Sequence, residues 1–380
     1  MVQAATKQLL NCIRLLTRLL PFIYEAPAVS GTNTTLAEQL LWTRSGDQVK
    51  RFGDRLIYTT VDLLFLAGFT VPKTENTEEA SPTLVNYCIW ESGIGQTQLI
   101  STNKDYVFHR LEVMRLLLCL LSSSMYTKAD GILTTRNPAV DTLAYHSDKK
   151  VVLTLLCSLI NTAMKYKASG WGIPYKMKPA HDPHDLLAVY CLQTLLILLN
   201  TRDQPRLGDT ASDNGRVTPT LPTASPVEPG AKNQFRGYLC RLHRNGDFAF
   251  LVSNIHRILG VLMRARTSYF QLATGKVQHT LCQESLMLLW ALLQLNPKFT
   301  TFLVESEEFL SIMTAVGFFA LDRKSDPLMV GQVRMAVFLL HMFSEEPKFG
   351  ERLNNLFDQT VLPTAMRLPL SQTTFADYLV

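Results

Sequence analysis

The residue types that could carry chemistry are present but scattered. His181 and His184, in the run His-Asp-Pro-His, could face one way at a helix start. Zinc needs a third and a fourth ligand, and no neighbouring cluster supplies them, so a solvated helix entrance is the better reading. Seven cysteines, at 12, 88, 119, 157, 191, 240 and 282, include no C-x-x-C pair. Their odd number, and their place inside apolar helical runs, fit small buried hydrophobes in a reducing compartment rather than a disulfide framework. Gly93-Ile94-Gly95 lacks the third glycine and the preceding strand of a dinucleotide fingerprint. Gly275-Lys276 has no phosphate-cradling loop before it, and no G-x-S-x-G elbow marks a nucleophile. These residues lead us to expect no catalytic site, no cofactor and no metal: a protein that is not an enzyme.

Two other patterns are candidates for binding. The stretch 236–266 holds Arg236, Arg241, Arg244, Arg257, Arg264 and Arg266, with His243 and His256, against the single acid Asp247. Such a face suits acidic protein or an anionic membrane surface such as phosphoinositide headgroups; a solvated basic edge is the competing reading. No aromatic ladder interleaves the arginines, so nucleic acid is not the expected ligand. Two loops, 87–95 and 169–175, combine large aromatics with glycines. Trp90, Glu91, Trp171 and Tyr175 are their candidate partner anchors. The competing reading is that the tryptophans plug gaps between neighbouring helix pairs.

The elements that must position these residues read as helices throughout. Leu9, Ile13, Leu16, Leu20 and Ile23 step by four and three, with Arg14 and Arg18 opposite and Pro21 expected to bend the last turn. Asp54 to Gly68 is apolar nearly all round and is expected to be central. Asn103 caps a helix carrying Val107, Leu111, Met114, Leu118, Leu121 and Met125; Ser147 caps the next, with Val151, Leu155, Leu159 and Ala163. Asp182-Pro183 opens a helix to about Asn200, with the carboxylate accepting from free N–H groups where proline needs no donor. Later stripes are Leu251, Ile255, Ile258 and Leu262; Leu281, Leu288, Leu292 and Leu295; and, after Ser306 and Asp326-Pro327, Val330, Val333, Val337 and Leu340. Residues 201–234 are rich in Pro, Gly, Ser and Thr and too poor in large apolar groups to offset ordering entropy, which makes them a linker.

The fold expected is therefore all-α, a stack of antiparallel helices resembling a HEAT or armadillo solenoid. It divides into a helical block at 1–200, a disordered linker at 201–234 and a second helical block at 235–380. The chain has 380 residues, 47% hydrophobic and 18% charged, with a formal charge of +5, and that mild excess does not demand nucleic acid. Arg14 and Arg18 interrupt the first apolar segment, which spoils a signal peptide. Leu186 to Thr201 is expected to be too short to cross a hydrocarbon layer of about 30 Å, so the reading is a soluble or peripheral protein. Thr374-Phe375-Ala376-Asp377 reads as a capping box just before the last residues, as though the second block were cut.

Several blocks carry a resemblance. Residues 11–25 (Asn-Cys-Ile-Arg-Leu-Leu-Thr-Arg-Leu-Leu-Pro-Phe-Ile-Tyr-Glu), Ile89-Trp90-Glu91-Ser92-Gly93-Ile94-Gly95 and Gly172-Ile173-Pro174-Tyr175 are three of them. Tyr238-Leu239-Cys240-Arg241-Leu242-His243-Arg244 with Asp247-Phe248, Phe349-Gly350-Glu351-Arg352-Leu353-Asn354, and Thr374-Phe375-Ala376-Asp377-Tyr378-Leu379 follow in order. In order and spacing the chain resembles the high-temperature-induced dauer-formation protein family, which is related to dymeclin. The resemblance implies an all-helical, non-enzymatic protein, cytoplasmic and peripheral to the Golgi membrane, acting with other trafficking proteins in vesicle transport and cargo sorting. It also implies an alternative, a soluble adaptor that recruits a ubiquitin-specific protease. Some members attach through an N-terminal myristoyl group; here Val2 follows Met1, so no such site is expected as written.

Overall fold

A computed structural model describes residues 2–27, 34–44, 50–73, 84–98, 103–129, 135–166, 182–201, 230–267, 276–322, 324–363, 366–369 and 372–379, the side chains of 2, 265–267 and 276–279 excepted. Among these residues the chain is all-α, with helices packed against one another and only isolated bridges such as Leu66 with Val85. Trp171, Tyr175, His181 and residues 202–229 of the expected linker lie outside the described residues, as does the Arg266 side chain.

Two compact units form, and they do not follow the linear division at the linker. One comprises Met1–Thr162 with Gln193–Gly237, the other Ala163–Leu192 with Tyr238–Val380.

In the first unit, α1 (Val2–Glu25) packs on α3 (Lys104–Leu121), which also meets α2 (Phe52–Leu63) and α4 (Pro138–His146). Helix α3 is buried nearly all round and is the centre of this unit. The run expected to continue to Gly68 stops at Leu63. There the Thr70 hydroxyl, fully buried, donates to the Leu63 carbonyl at 2.7 Å and accepts from Leu66 N–H at 3.1 Å, turning the chain. Helix α1 passes through Pro21 without ending. Proline has no N–H to give Thr17, and the Cys119 thiol lies 3.5 Å from that carbonyl instead. Helices α5 (Lys149–Met164) and α6 (Pro183–Asn200) contribute residues to both units.

The second unit carries α8 (Asn245–Thr267), α9 (Lys276–Leu295), α10 (Pro297–Glu305), α11 (Phe309–Asp322), α12 (Val330–Ser344), α13 (Pro347–Leu353) and α14 (Phe375–Leu379). Helix α8 packs on α9 and α11, and α9 packs on α12, so contacts recur between neighbours and between helices three apart in order. That recurrence is the local pattern of a helical stack. The short α7 (Gln234–Cys240) begins in the first unit and ends in the second.

Three described stretches, Pro183–Asn200, Asn245–Arg264 and Pro327–Ser344, are long and apolar enough to cross a membrane by length and composition. The expectation that the apolar run of α6 is too short therefore does not stand on those two criteria. In the first two, 56% and 50% of the stretch is buried inside the chain's own packing; in the third only 22% is.

Helix ends set the local problem, because each leaves carbonyls or amides without an intrahelical partner. Three asparagines solve it twice over. The Asn137 amide accepts from Ala139 N–H at 3.1 Å to cap α4 and donates to Leu121 O, the end of α3, at 2.7 Å. Asn233 caps α7 by accepting from Phe235 N–H at 2.9 Å and donates to Leu198 O and Thr201 O at 2.7 and 2.9 Å. Asn296 caps α10 through Phe299 N–H at 3.1 Å and donates to Leu239 O and Leu242 O, both at 2.9 Å. Expected caps at Asn103, Asp182 and Thr374 form, with Thr374 and Asp377 bonded reciprocally as a capping box. Ser147 and Ser306 do not open the helices that follow them: their hydroxyls donate backward, to Thr142 O and Leu303 O.

Asn296→Ala is expected to lower unfolding free energy by about 2–3 kcal/mol, since a cap and two buried carbonyls lose their partner together. Asn296→Asp should cost at least as much, although aspartate is an equal cap, because it cannot donate to Leu239 and Leu242. Chemical denaturation of both variants checks this; a mild effect of Asn296→Asp would show that capping alone matters.

Candidate functional site

The two aromatic-loop and arginine-rich candidates meet different fates in the structure. Trp90 is fully buried. Its ring lies 5.5 Å from Phe65 and under the Arg110 guanidinium at 5.2 Å, and Phe65 also meets the Tyr87 ring, tilted, at 5.0 Å. Arg110, itself buried, donates from Nε to Thr70 O at 2.8 Å. The loop is stitched down by α5: Ser158 Oγ accepts from Trp90 N–H at 3.3 Å. Asn161 donates to Glu91 O and Ile94 O at 2.9 and 3.0 Å and accepts from Ile94 N–H at 2.9 Å. Gly95 takes φ +74°, a left-handed turn that favours glycine, where the chain folds back. A ring with no exposed surface has none to offer a partner, so Trp90 is a packing element and not an anchor. Glu91 stays half-exposed on the same loop.

The arginines of 236–266 divide between structure and surface. Arg236 donates to Leu199 O at 3.0 Å, closing the end of α6. Arg257, half-buried, donates to Met164 O at 2.5 Å and to Tyr166 O at the end of α5, and to Asn254 Oδ1 at 3.0 Å. Burial raises the Tyr166 hydroxyl to about 12, so it stays protonated beside that cation. Arg241 and Arg244 are exposed on the turn before α8, with Arg241 over the Tyr238 ring at 5.3 Å, and Arg264 is exposed farther along α8. Arg236 belongs to the first unit and the others to the second. The stretch is thus not a uniform anionic-contact face: Arg236 and Arg257 are spent on helix ends, and Arg241, Arg244 and Arg264 keep surface to offer.

Buried carboxylates are likewise tied into packing. Glu112 on α3 takes Arg14 Nε at 3.3 Å and Arg115 at 3.0 Å. Asp54 takes Arg51 twice at 2.8 Å and the Thr142 hydroxyl at 2.7 Å. Burial pushes the Asp54 carboxyl up, but hydrogen bonds from Arg51 and Thr142 outweigh it and hold the group below the usual carboxylate range. For Asp141 burial wins over Arg136, and its carboxyl sits above that range. Among the described residues no cluster of three or more His, Cys, Asp or Glu is placed to hold a metal ion.

What the sequence pattern did not reveal is where apolar surface remains. The apolar stripe that the spacing marks on α12 is Val330, Val333, Val337 and Leu340. The face of α12 that packs on α9 and α11 is instead Gln332, Ala336, Leu339 and Phe343. Val337 and Phe338 are left 54% and 58% exposed, with Leu328 and Val330 beside them. On α1 the buried residues are Leu10, Ile13, Leu20 and Tyr24, one step round from the expected stripe, and Leu15, Leu19 and Phe22 lie open on the opposite side. On α1 the open face is a second apolar stripe beside the one the spacing marked; on α12 it includes Val330 and Val337 of the marked stripe itself.

Fold and surface define an all-α protein of packed helices with apolar outer faces. The particular family follows from comparison. The family model for High-temperature-induced dauer-formation protein matches residues 2–380, and the chain belongs to that family. It is 31% identical to Protein HID1 of Homo sapiens over 380 residues, 98% of this chain and 47% of that one, and 31% identical to Protein HID1 of Mus musculus with the same coverage. It is 29% identical over 337 residues to the Ubp5-interacting protein ftp105 of Schizosaccharomyces pombe, 87% of this chain and 34% of that one. The chain spans about half the length of the HID1 relatives it matches. No solved structure matches.

Trp90→Ala is expected to cost about 3–5 kcal/mol by thermal or chemical unfolding, the scale of a buried tryptophan, whereas Arg241→Glu with Arg244→Glu should leave stability within about 0.5 kcal/mol. The Asp54 shift also has a pH signature. Its folded value is depressed, so its stabilisation is present above the unfolded value near about 4 and is lost as pH falls through the folded value. Asp54→Asn should therefore cost about 2 kcal/mol at neutral pH and progressively less below about pH 4, read from urea midpoints across that range.

Proposed function

We propose that this protein is a non-enzymatic helical scaffold, peripheral to the cytosolic face of the Golgi, which gathers trafficking proteins for vesicle transport and secretory cargo sorting. The observation that carries the reading is family membership over residues 2–380, in a fold where buried polar groups such as Asn233, Asn296 and Glu112 serve helix ends and ion pairs. Of the side chains that the sequence singles out, Trp90, Arg236 and Arg257 are used in packing and on helix ends. The surface of α12, with Val337 and Phe338 exposed, supports docking as the mode of action: apolar groups left in contact with water gain from being covered.

One observation favours a second reading. The fission-yeast relative aligned over 87% of this chain is named for interacting with Ubp5, which supports an adaptor that positions a ubiquitin-specific protease. Proximity labelling from the tagged chain in cells separates the two. Coat and tether proteins of the Golgi are expected among the labelled set; ubiquitin proteases without them would favour the adaptor. Val337→Ser with Phe338→Ser should remove a subset of labels while moving the thermal midpoint little, since both side chains are more than half exposed.

A further inference from the structure

Helix α1 has two apolar faces. One, with Leu10, Ile13, Leu20 and Tyr24, is buried, and α1 packs there on α3 and on the short 3-10 turn Ser123–Tyr126. On the opposite face Cys12, Leu15, Leu19 and Phe22 step by three, four and three, the spacing of a single helical stripe. Leu15, Leu19 and Phe22 are 58%, 43% and 70% exposed. The turn that packs on α1 also carries exposed apolar residues: Met125 is 81% and Tyr126 36% exposed, and the Tyr126 ring lies 5.4 Å from that of Tyr24.

The charge around this patch has one sign over most of its length. From Met1 to Tyr24 the sequence holds Lys7, Arg14 and Arg18 and no acid; Glu25 is the first. Lys7 and Arg18 are exposed, as is Lys128 just beyond the turn. Arg14 is held by Glu112. Apolar residues ending in an aromatic pair and bordered by cations describe a surface that enters a lipid headgroup layer and is held there by anionic lipid. The exposed stripe lies on a single helix, on the side away from its packing on α3, whereas a partner helix is usually received in a groove between two.

We propose that the outer face of α1, with the Met125–Tyr126 turn, is a membrane-contact surface selective for anionic bilayers. Leu15, Leu19, Phe22 and Met125 enter the acyl boundary, and Lys7, Arg18 and Lys128 engage the headgroups. This refines the peripheral-membrane part of the reading above and rests on it, and it locates the contact on α1 rather than on the arginine stretch 236–266.

The test is flotation of the 380-residue chain with neutral phosphatidylcholine vesicles and with the same vesicles containing phosphatidylserine or a phosphoinositide. Phe22→Trp serves as a fluorescent reporter beside the native chain. Binding is expected only to the anionic vesicles, with a blue shift at position 22. Leu19→Ser with Phe22→Ser should weaken it by about tenfold or more, as should Lys7→Glu with Arg18→Glu, both pairs keeping the helical circular dichroism of the parent. Equal binding by these variants and the parent would overturn the assignment, as would no binding at all. A blue shift that grows with protein concentration in the absence of vesicles, with a doubled mass that Leu19→Ser/Phe22→Ser abolishes, would overturn it too and make the face an interface between copies. Vesicle binding that holds while proximity labelling finds no Golgi protein would sink the Golgi reading and leave the lipid surface standing.

Discussion

The constraint on which this structure depends is the satisfaction of helix ends. A fold built from many helices of moderate length creates orphan backbone groups at every turn, and those that pack inward cannot be left to water. Asparagine meets the need because one side chain carries both an acceptor and two donors. Asn137, Asn233 and Asn296 each accept from the first turn of one helix and donate to the end of another, so that the end of one helix fixes the start of a second, which for Asn296 ties the end of α7 to the start of α10. Where the chain needs more reach, arginine does the same work: Arg236 on Leu199, Arg257 on Met164, and Arg352 on the carbonyl of Ser306 at 2.7 Å.

This use of polar side chains shapes what remains for function. An arginine committed to two carbonyls is not free to meet a phosphate, and a tryptophan enclosed by Phe65 and Arg110 is not an anchor. The carboxylates of Glu112 and Asp54 are paired with arginines in partly desolvated settings, where removing one partner strands the other. Surface action is left to the outer helix faces, and on α1 and α12 those faces are apolar. Covering such faces is favourable whatever the geometry of the partner, since burial of apolar area is non-directional.

Helix positions were largely legible because their signals are local. Asn103, Asp182-Pro183 and the Thr374–Asp377 pair announce their helices by chemistry contained in four residues, and each capping bond forms, at Thr374 opening the short α14. The stripe Leu251, Ile255, Ile258 and Leu262 is buried throughout, within a wider buried face of α8 that also takes in Phe248, Val252, Leu259 and Met263. Serines were less legible: a hydroxyl at a helix junction donates backward as readily as it accepts forward, and Ser147 and Ser306 both close the helix before them. Helices with two apolar stripes defeated the reading. On α12, Gln332 lies in the buried face and Val337 in the open one, with Gln332 Nε2 3.5 Å from the Phe319 carbonyl. Nothing local distinguishes a stripe that has a neighbour from one that has none.

Sequence alone therefore determined the helical class, the places where most helices begin, and the family, because periodicity, capping chemistry and ordered blocks are properties of residues near one another in the chain. Tertiary structure alone decided which apolar stripe is core, which arginines are absorbed by distant helix ends, and that α6 and α7 contribute to two units instead of flanking one divide. Those outcomes turn on contacts between residues tens of positions apart, and burial is a property of the neighbour as much as of the side chain.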